Sequence, residues 1–251
     1  MKKISSILAL ATLIFVAFGC RSCETIDSSK LDPSEIYQEY SVAVAENTIV
    51  SAEFRVSGST GTTIALVPPT KVEHNGNQMS EHLRTVFSGT YYSAETKGFE
   101  GSHTFLFTDS SGKQFRNTLT FEPIKITSEN LILSKTSRNV VVNLSRGLAE
   151  GESIIAQLTS DAEPPKPASN SPNSNSAEPS GPDYSNDFRG VVDANARTLT
   201  LDTENLKNFV TGKAKLYVTI NASKRPENLG IRGGAMSYSI VSTAIPVTVT
   251  N

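Results

Sequence analysis

The chain has 251 residues, with 23 Lys and Arg against 25 Asp and Glu, no Trp, and 37% hydrophobic residues, where a globular domain usually carries about 45% or more. A net charge of −2 lacks the basic excess that a general nucleic-acid binder concentrates on one face, so no nucleic-acid partner is expected. Two cysteines are too few for a disulfide framework or a cysteine-built zinc site.

Lys2 and Lys3 form a short positive head, and residues 7–18 are apolar except for Thr12. This is the pattern of a secretory signal peptide. As a helix the run spans about 18 Å, short of the roughly 30 Å hydrocarbon core that a transmembrane helix must cross. Its end, Val16-Ala17-Phe18-Gly19-Cys20, resembles the bacterial lipoprotein processing site, in which a small residue precedes an acylated cysteine. Ala17 and Phe18 stand where that pattern usually has Leu and a small residue, so the resemblance rests on Gly19, Cys20 and the run ahead of them. A plain signal peptide cut near Gly19 is the alternative. The resemblance implies a Gram-negative lipoprotein with signal peptide 1–19 and a palmitate-type anchor on Cys20. The mature chain then has 232 residues and a net charge of −4. At roughly 0.8 kcal/mol per buried methylene, several acyl chains hold it to the membrane permanently. Arg21 follows the cysteine where Asp would resemble an inner-membrane retention signal, which implies an outer-membrane location facing the periplasm or the cell surface. Cys23 reads as a bystander or a second modified residue.

Residues 20–38 are polar and aperiodic and are expected to be a tether. From residue 39 the dominant period is two, the mark of half-buried strands. Val50, Ala52, Phe54 and Val56 alternate with Ser51, Glu53, Arg55 and Ser57, and a strand at 42–45 precedes them. Further strands are expected at 63–67, 71–74, 83–87, 104–108 and 115–121. Asn75-Gly76 is a hairpin signal because both residues tolerate positive φ, and Asp109-Ser110-Ser111-Gly112 is a second hairpin loop. About seven short strands make 39–125 a small antiparallel sandwich.

The second half, 126–251, repeats the plan with strands near 140–144, 154–158, 198–201, 216–220 and 245–249. Gly101 is followed at +4 and +6 by Phe105 and Phe107, and Gly212 likewise by Leu216 and Val218. We read two copies of one sandwich, against the alternative of two unrelated β domains. Residues 161–186 contain six Pro, six Ser, four Asn and one Gly and cannot bury enough apolar area to offset about 1–2 kcal/mol of ordering entropy per residue. They are expected to be a disordered insertion between two strands of the second sandwich.

Reactive constellations are scarce. His103 lies at +2 after Gly101, where the second half has Ala214, and reads as a core residue. His74 and His82 lack the i, i+4 spacing of a helical metal pair, and no nucleophile elbow or phosphate loop occurs. Asp187, Asp193 and Asn195 lack EF-hand spacing. Neither a cofactor nor a metal is expected. Tyr91-Tyr92 should place one ring inside and one outside a strand.

Residues 72–77, 101–109 and 112–121 carry a resemblance to the immunoglobulin-like modules of exported bacterial proteins. The fold expected is therefore all-β, two tandem immunoglobulin-like antiparallel β-sandwiches after a signal peptide and tether. Such modules imply no chemistry of their own. The function expected is a non-enzymatic, membrane-anchored lipoprotein acting as a binding, adhesion or spacer module of the cell envelope, with a protein or glycan partner. The alternative is a carbohydrate-active or other hydrolase using acids of the first domain, Glu73 with Glu95, among the group Glu73, Glu81, Glu95 and Glu100. The absence of Trp weighs against sugar binding.

Overall fold

A computed structural model describes residues 25–84, 89–98, 101–162, 185–188, 191–193 and 197–251. The signal peptide 1–19, Cys20, Cys23 and most of the insertion 161–186 lie outside the described residues. The described chain is all-β, its helical pieces being three short 3-10 turns. It forms two compact units.

In chain order the first unit contains β1 (Ile26–Asp27), β2 (Ile36–Val44), β3 (Asn47–Val56), β4 (Ile64–Ala65), β5 (Lys71–His74), β6 (Asn77–Gln78), β7 (Ser80–Arg84), β8 (Gly89–Lys97), β9 (Ser102–Thr108) and β10 (Gln114–Thr120). One sheet runs β2-β3-β8-β7 and the other β10-β9-β5-β6. Alternation drives their packing. Ile36, Tyr40 and Val42 on β2 and Val50, Ala52 and Phe54 on β3 are buried, as are Phe105 and Phe107 on β9. The sheets meet through rings: Tyr40 lies 4.7 Å from Phe105 and Phe54 4.6 Å from Phe107. Each such side chain contributes roughly 1.5–3 kcal/mol when taken out of water.

The expected turns are present. Asn75 (φ 47°) and Gly76 (φ 84°) both take the left-handed conformation and close the β5–β6 hairpin, with His74 opposite Asn77. In the β9–β10 loop Asp109 Oδ1 accepts from Ser111 N at 2.8 Å and Lys113 N at 3.0 Å.

The second unit contains β11 (Leu131–Ser134), β12 (Asn139–Asn143), β13 (Glu152–Ser160), β14 (Ser185–Phe188), β15 (Val191–Asp193), β16 (Thr198–Asp202), β17 (Gly212–Lys224), β18 (Gly234–Val241) and β19 (Ile245–Thr250). One sheet has the order β12-β16-β15. In the other, β17 is flanked by β13 on one side and by β18 and β19 on the other, with β14 beside β13 and β11 beside β19. Gly101 immediately precedes β9, and Gly212 is the first residue of β17. Leu216 and Val218 are buried as Phe105 and Phe107 are, and Ala214 as His103 is.

Three expectations are corrected. The stretch 20–38 is not tether throughout: from Ile26 it forms β1, two 3-10 turns and the start of β2. Ser185 and Asn186, assigned to the insertion, belong to β14 and pair with Thr159 and Leu158. The units are also not contiguous halves parted at 125/126. The first takes the described residues through Val42 together with Asn47–Phe121 and Lys224–Ser237, and the second takes Ala43–Glu46, Glu122–Ser223 and Tyr238–Asn251. The physical reason is the long β17–β18 hairpin, whose tip, 224–237, finds its partners among first-unit strands: Gly233 O accepts from Gln38 N at 3.3 Å.

Candidate functional site

From Thr25 onward the chain is fixed to the first unit at one corner. β1 lies parallel to β4, with Ile26 opposite Ile64, and Ile26 N donates to Thr63 O at 3.0 Å. Thr25 Oγ1 sits 3.4 Å from Thr63 Oγ1 and 3.5 Å from Thr90 Oγ1. Ser28, buried, accepts from Val67 N at 2.8 Å through its hydroxyl. Asp32 then caps the second 3-10 turn by accepting from Ser34 N at 2.8 Å, which holds its carboxyl below the usual carboxylate range.

Of the sequence-derived candidates, Cys20 lies outside the described residues. Glu73, on β5, is half-buried and lies 3.3 Å from Lys71 Nζ. Glu95, on β8, is exposed and accepts from Asn47 Nδ2 at 2.7 Å. β5 and β8 belong to different sheets, so strand pairing does not bring these two acids together. Glu81 is exposed on β7, and Glu100 lies outside the described residues.

Tyr92 is buried and Tyr91 half-buried. Burial, partly offset by a hydrogen bond from Leu66 N at 2.6 Å, pushes the Tyr92 hydroxyl pKa up to about 12. His82 stacks on Tyr91 at 5.1 Å. His74 and His103 meet inside the sandwich, Nε2 to Nδ1 at 3.0 Å, with His103 also stacked on Phe121 at 5.4 Å. One proton bridges the two nitrogens, one ring donating and the other accepting. Asp187 on β14 and Asp193 on β15 stand in different sheets, and Asn195 lies outside the described residues. Among the described residues no group of three or more His, Cys, Asp or Glu is arranged to hold a metal ion.

Sequence reasoning missed a polar cluster in the second unit. Arg146 grips Glu152 with two nitrogens, Nη1 to Oε2 at 2.7 Å and Nη2 to Oε1 at 2.8 Å. Tyr238 donates to Oε1 at 2.6 Å and Ala149 N to Oε2 at 2.6 Å. The Glu152 side chain is 1% exposed. Burial pushes its pKa up, but the bonds from Arg146, Tyr238 and Ala149 outweigh that and leave it below the usual carboxylate range. Arg146 also donates to Glu122 O and Gly147 O, both within 2.8 Å. With every carboxylate lone pair engaged by the protein, the cluster is built to hold the 146–152 turn. A hint was available: Met236, Tyr238 and Ile240 alternate with Ser237, Ser239 and Val241, which marks the strand that brings the tyrosine.

Among the described residues the second unit carries surface clefts of about 330 Å³ beside Glu46, Tyr217 and Ser242 and of about 380 Å³ beside Asn130, Asp161 and Lys213. Both sit near the lower end of the volumes ligand pockets occupy.

The fold and the fixed N-terminal corner define an all-β protein of two sheet-built units. No family model matches the chain, and no curated protein matches it.

Proposed function

We propose that this chain is an outer-membrane lipoprotein, anchored through Cys20, whose two immunoglobulin-like sandwiches serve as a non-enzymatic binding, adhesion or spacer module of the cell envelope. The observation that carries the anchored reading is the signal-like run 7–18 ending in Gly19-Cys20, followed five residues later by a chain already fixed to the fold at Thr25.

Strand order supports the immunoglobulin-like reading. A constant-type domain has strands A-B-E-D in one sheet and C-F-G in the other. In the first unit β2-β3-β8-β7 takes the places A-B-E-D and β5-β9-β10 the places C-F-G. In the second, β12-β16-β15 takes B-E-D, and β13, β17 and the pair β18 and β19 take C, F and G. Function in such modules lies in loops and faces, which suits recognition of a protein or glycan.

Cys20→Ala tests the anchor. Most of the protein should move from the membrane to the soluble fraction, and the wild-type mature N-terminus should carry the mass of acyl chains. Unchanged membrane retention of the variant overturns the reading.

A further inference from the structure

We infer that the corner of the first unit around Thr25 rests on the lipid surface, with Leu83 as its apolar contact. The inference rests on acylation of Cys20. An acylated cysteine lies at the membrane interface, and only residues 21–24 separate it from Thr25. An extended chain reaches at most about 3.6 Å per residue, so Thr25 lies within about 18 Å of Cys20. A tether running to residue 38 would have allowed about 65 Å, enough to lift a whole domain clear of the headgroups. The clamp at Thr63 and Thr90 removes that freedom.

The same clamp selects which surface faces the lipid. Thr25 approaches Thr90 side chain to side chain at 3.5 Å, and Leu83 is the residue directly opposite Thr90 on β7. β7 ends the strand order of its sheet, and Leu83 is 74% exposed. Opposed residues on antiparallel strands have their Cα atoms about 5 Å apart, so this leucine lies beside the point where the tether leaves the fold. Ile49 is also exposed but pairs with Glu95, near the other end of β8. That is five residues from Thr90, about 17 Å along the strand, and it supplies an internal control. The occupant is a bilayer surface, fixed by the length of chain between the anchor and the fold.

The chain has no Trp, so one introduced indole reports alone. The lipidated full-length protein carrying Leu83→Trp, and separately Ile49→Trp, is reconstituted on vesicles of phosphatidylethanolamine and phosphatidylglycerol containing brominated phosphatidylcholine. Bromine should quench the Leu83→Trp variant at least twofold more than the Ile49→Trp variant. Adding about twenty Gly and Ser residues after Cys23 should lower that quenching at least twofold, because a longer tether dilutes the corner away from the surface. Equal quenching of the two variants, no quenching of membrane-bound Leu83→Trp protein, or quenching indifferent to tether length each overturns the inference and leaves the anchor standing. Absence of acyl mass on Cys20 overturns the anchor, and the inference with it.

Discussion

Glu152 shows what one buried charge does here. Its carboxylate accepts from Arg146, Tyr238 and Ala149, so replacing it with Gln leaves the guanidinium short of its counter-charge. Breaking a well-buried ion pair costs about 3–5 kcal/mol. Arg146 is 17% exposed and can recover some hydration, so Glu152→Gln should cost about 3 kcal/mol in urea unfolding at pH 7. The pH dependence has a definite sign. The folded pKa is depressed, so this stabilisation is fully present above the unfolded value of about 4.3. It is lost as pH falls through the folded value. The gap between wild type and variant should therefore narrow at acid pH, and a constant gap from pH 7 to pH 3 counts against the role of the charge. Nothing in the spacing of Arg146 and Glu152 announces this cluster, because its third member arrives 86 residues later. His103 was legible because it occupies an inward place in a strand of phenylalanines, whereas its contact with His74 depends on how β5 and β9 align.

At the level of elements, β3 was legible from the alternation of Val50, Ala52 and Phe54, whereas the first half of β2 was not. β2 buries Ile36, Gln38, Tyr40, Val42 and Val44 in strict alternation, yet Gln38 interrupts the apolar pattern and hides the first half of the strand. Inside the fold its Oε1 accepts from the Tyr40 hydroxyl at 2.8 Å. β1 is two residues long and exists only by pairing with β4, which no local pattern records. The hairpin tip 224–237 depends in the same way on a distant partner. Asn117, buried on β10, donates to Asn228 O at 2.8 Å and accepts from Asn228 N at 2.8 Å. The Asn228 side chain itself donates to Arg116 O at 2.7 Å. Asn117→Ala orphans two main-chain groups and should cost about 2 kcal/mol, while Asn228→Ala removes one exposed bond and should cost about 0.5 kcal/mol. Equal losses in urea unfolding would mean that the tip is not held through Asn117.

Across the whole molecule, composition and strand spacing revealed two β units but not how the chain is shared between them. A cut at 125/126 follows the sequence pattern, yet a fragment ending there lacks 224–237, a segment of the first unit. It loses the first residues of β18 beside β2, the bond from Gln38 N to Gly233 O and the Asn117–Asn228 pair. Main-chain bonds contribute about 1 kcal/mol each net, so about 3 kcal/mol is at stake. For a domain of about 100 residues each kcal/mol moves the melting temperature by roughly 4–8 °C. The fragment 25–125 should therefore melt more than about 10 °C below the first unit of the intact chain, followed by circular dichroism. Joining 224–237 to its end through a flexible linker should recover most of the difference, since closing a longer loop costs only about 0.6 kcal/mol per doubling of length. A fragment that melts with the intact unit, with or without the added segment, would mean that 224–237 is a passenger on the first unit rather than part of its structure.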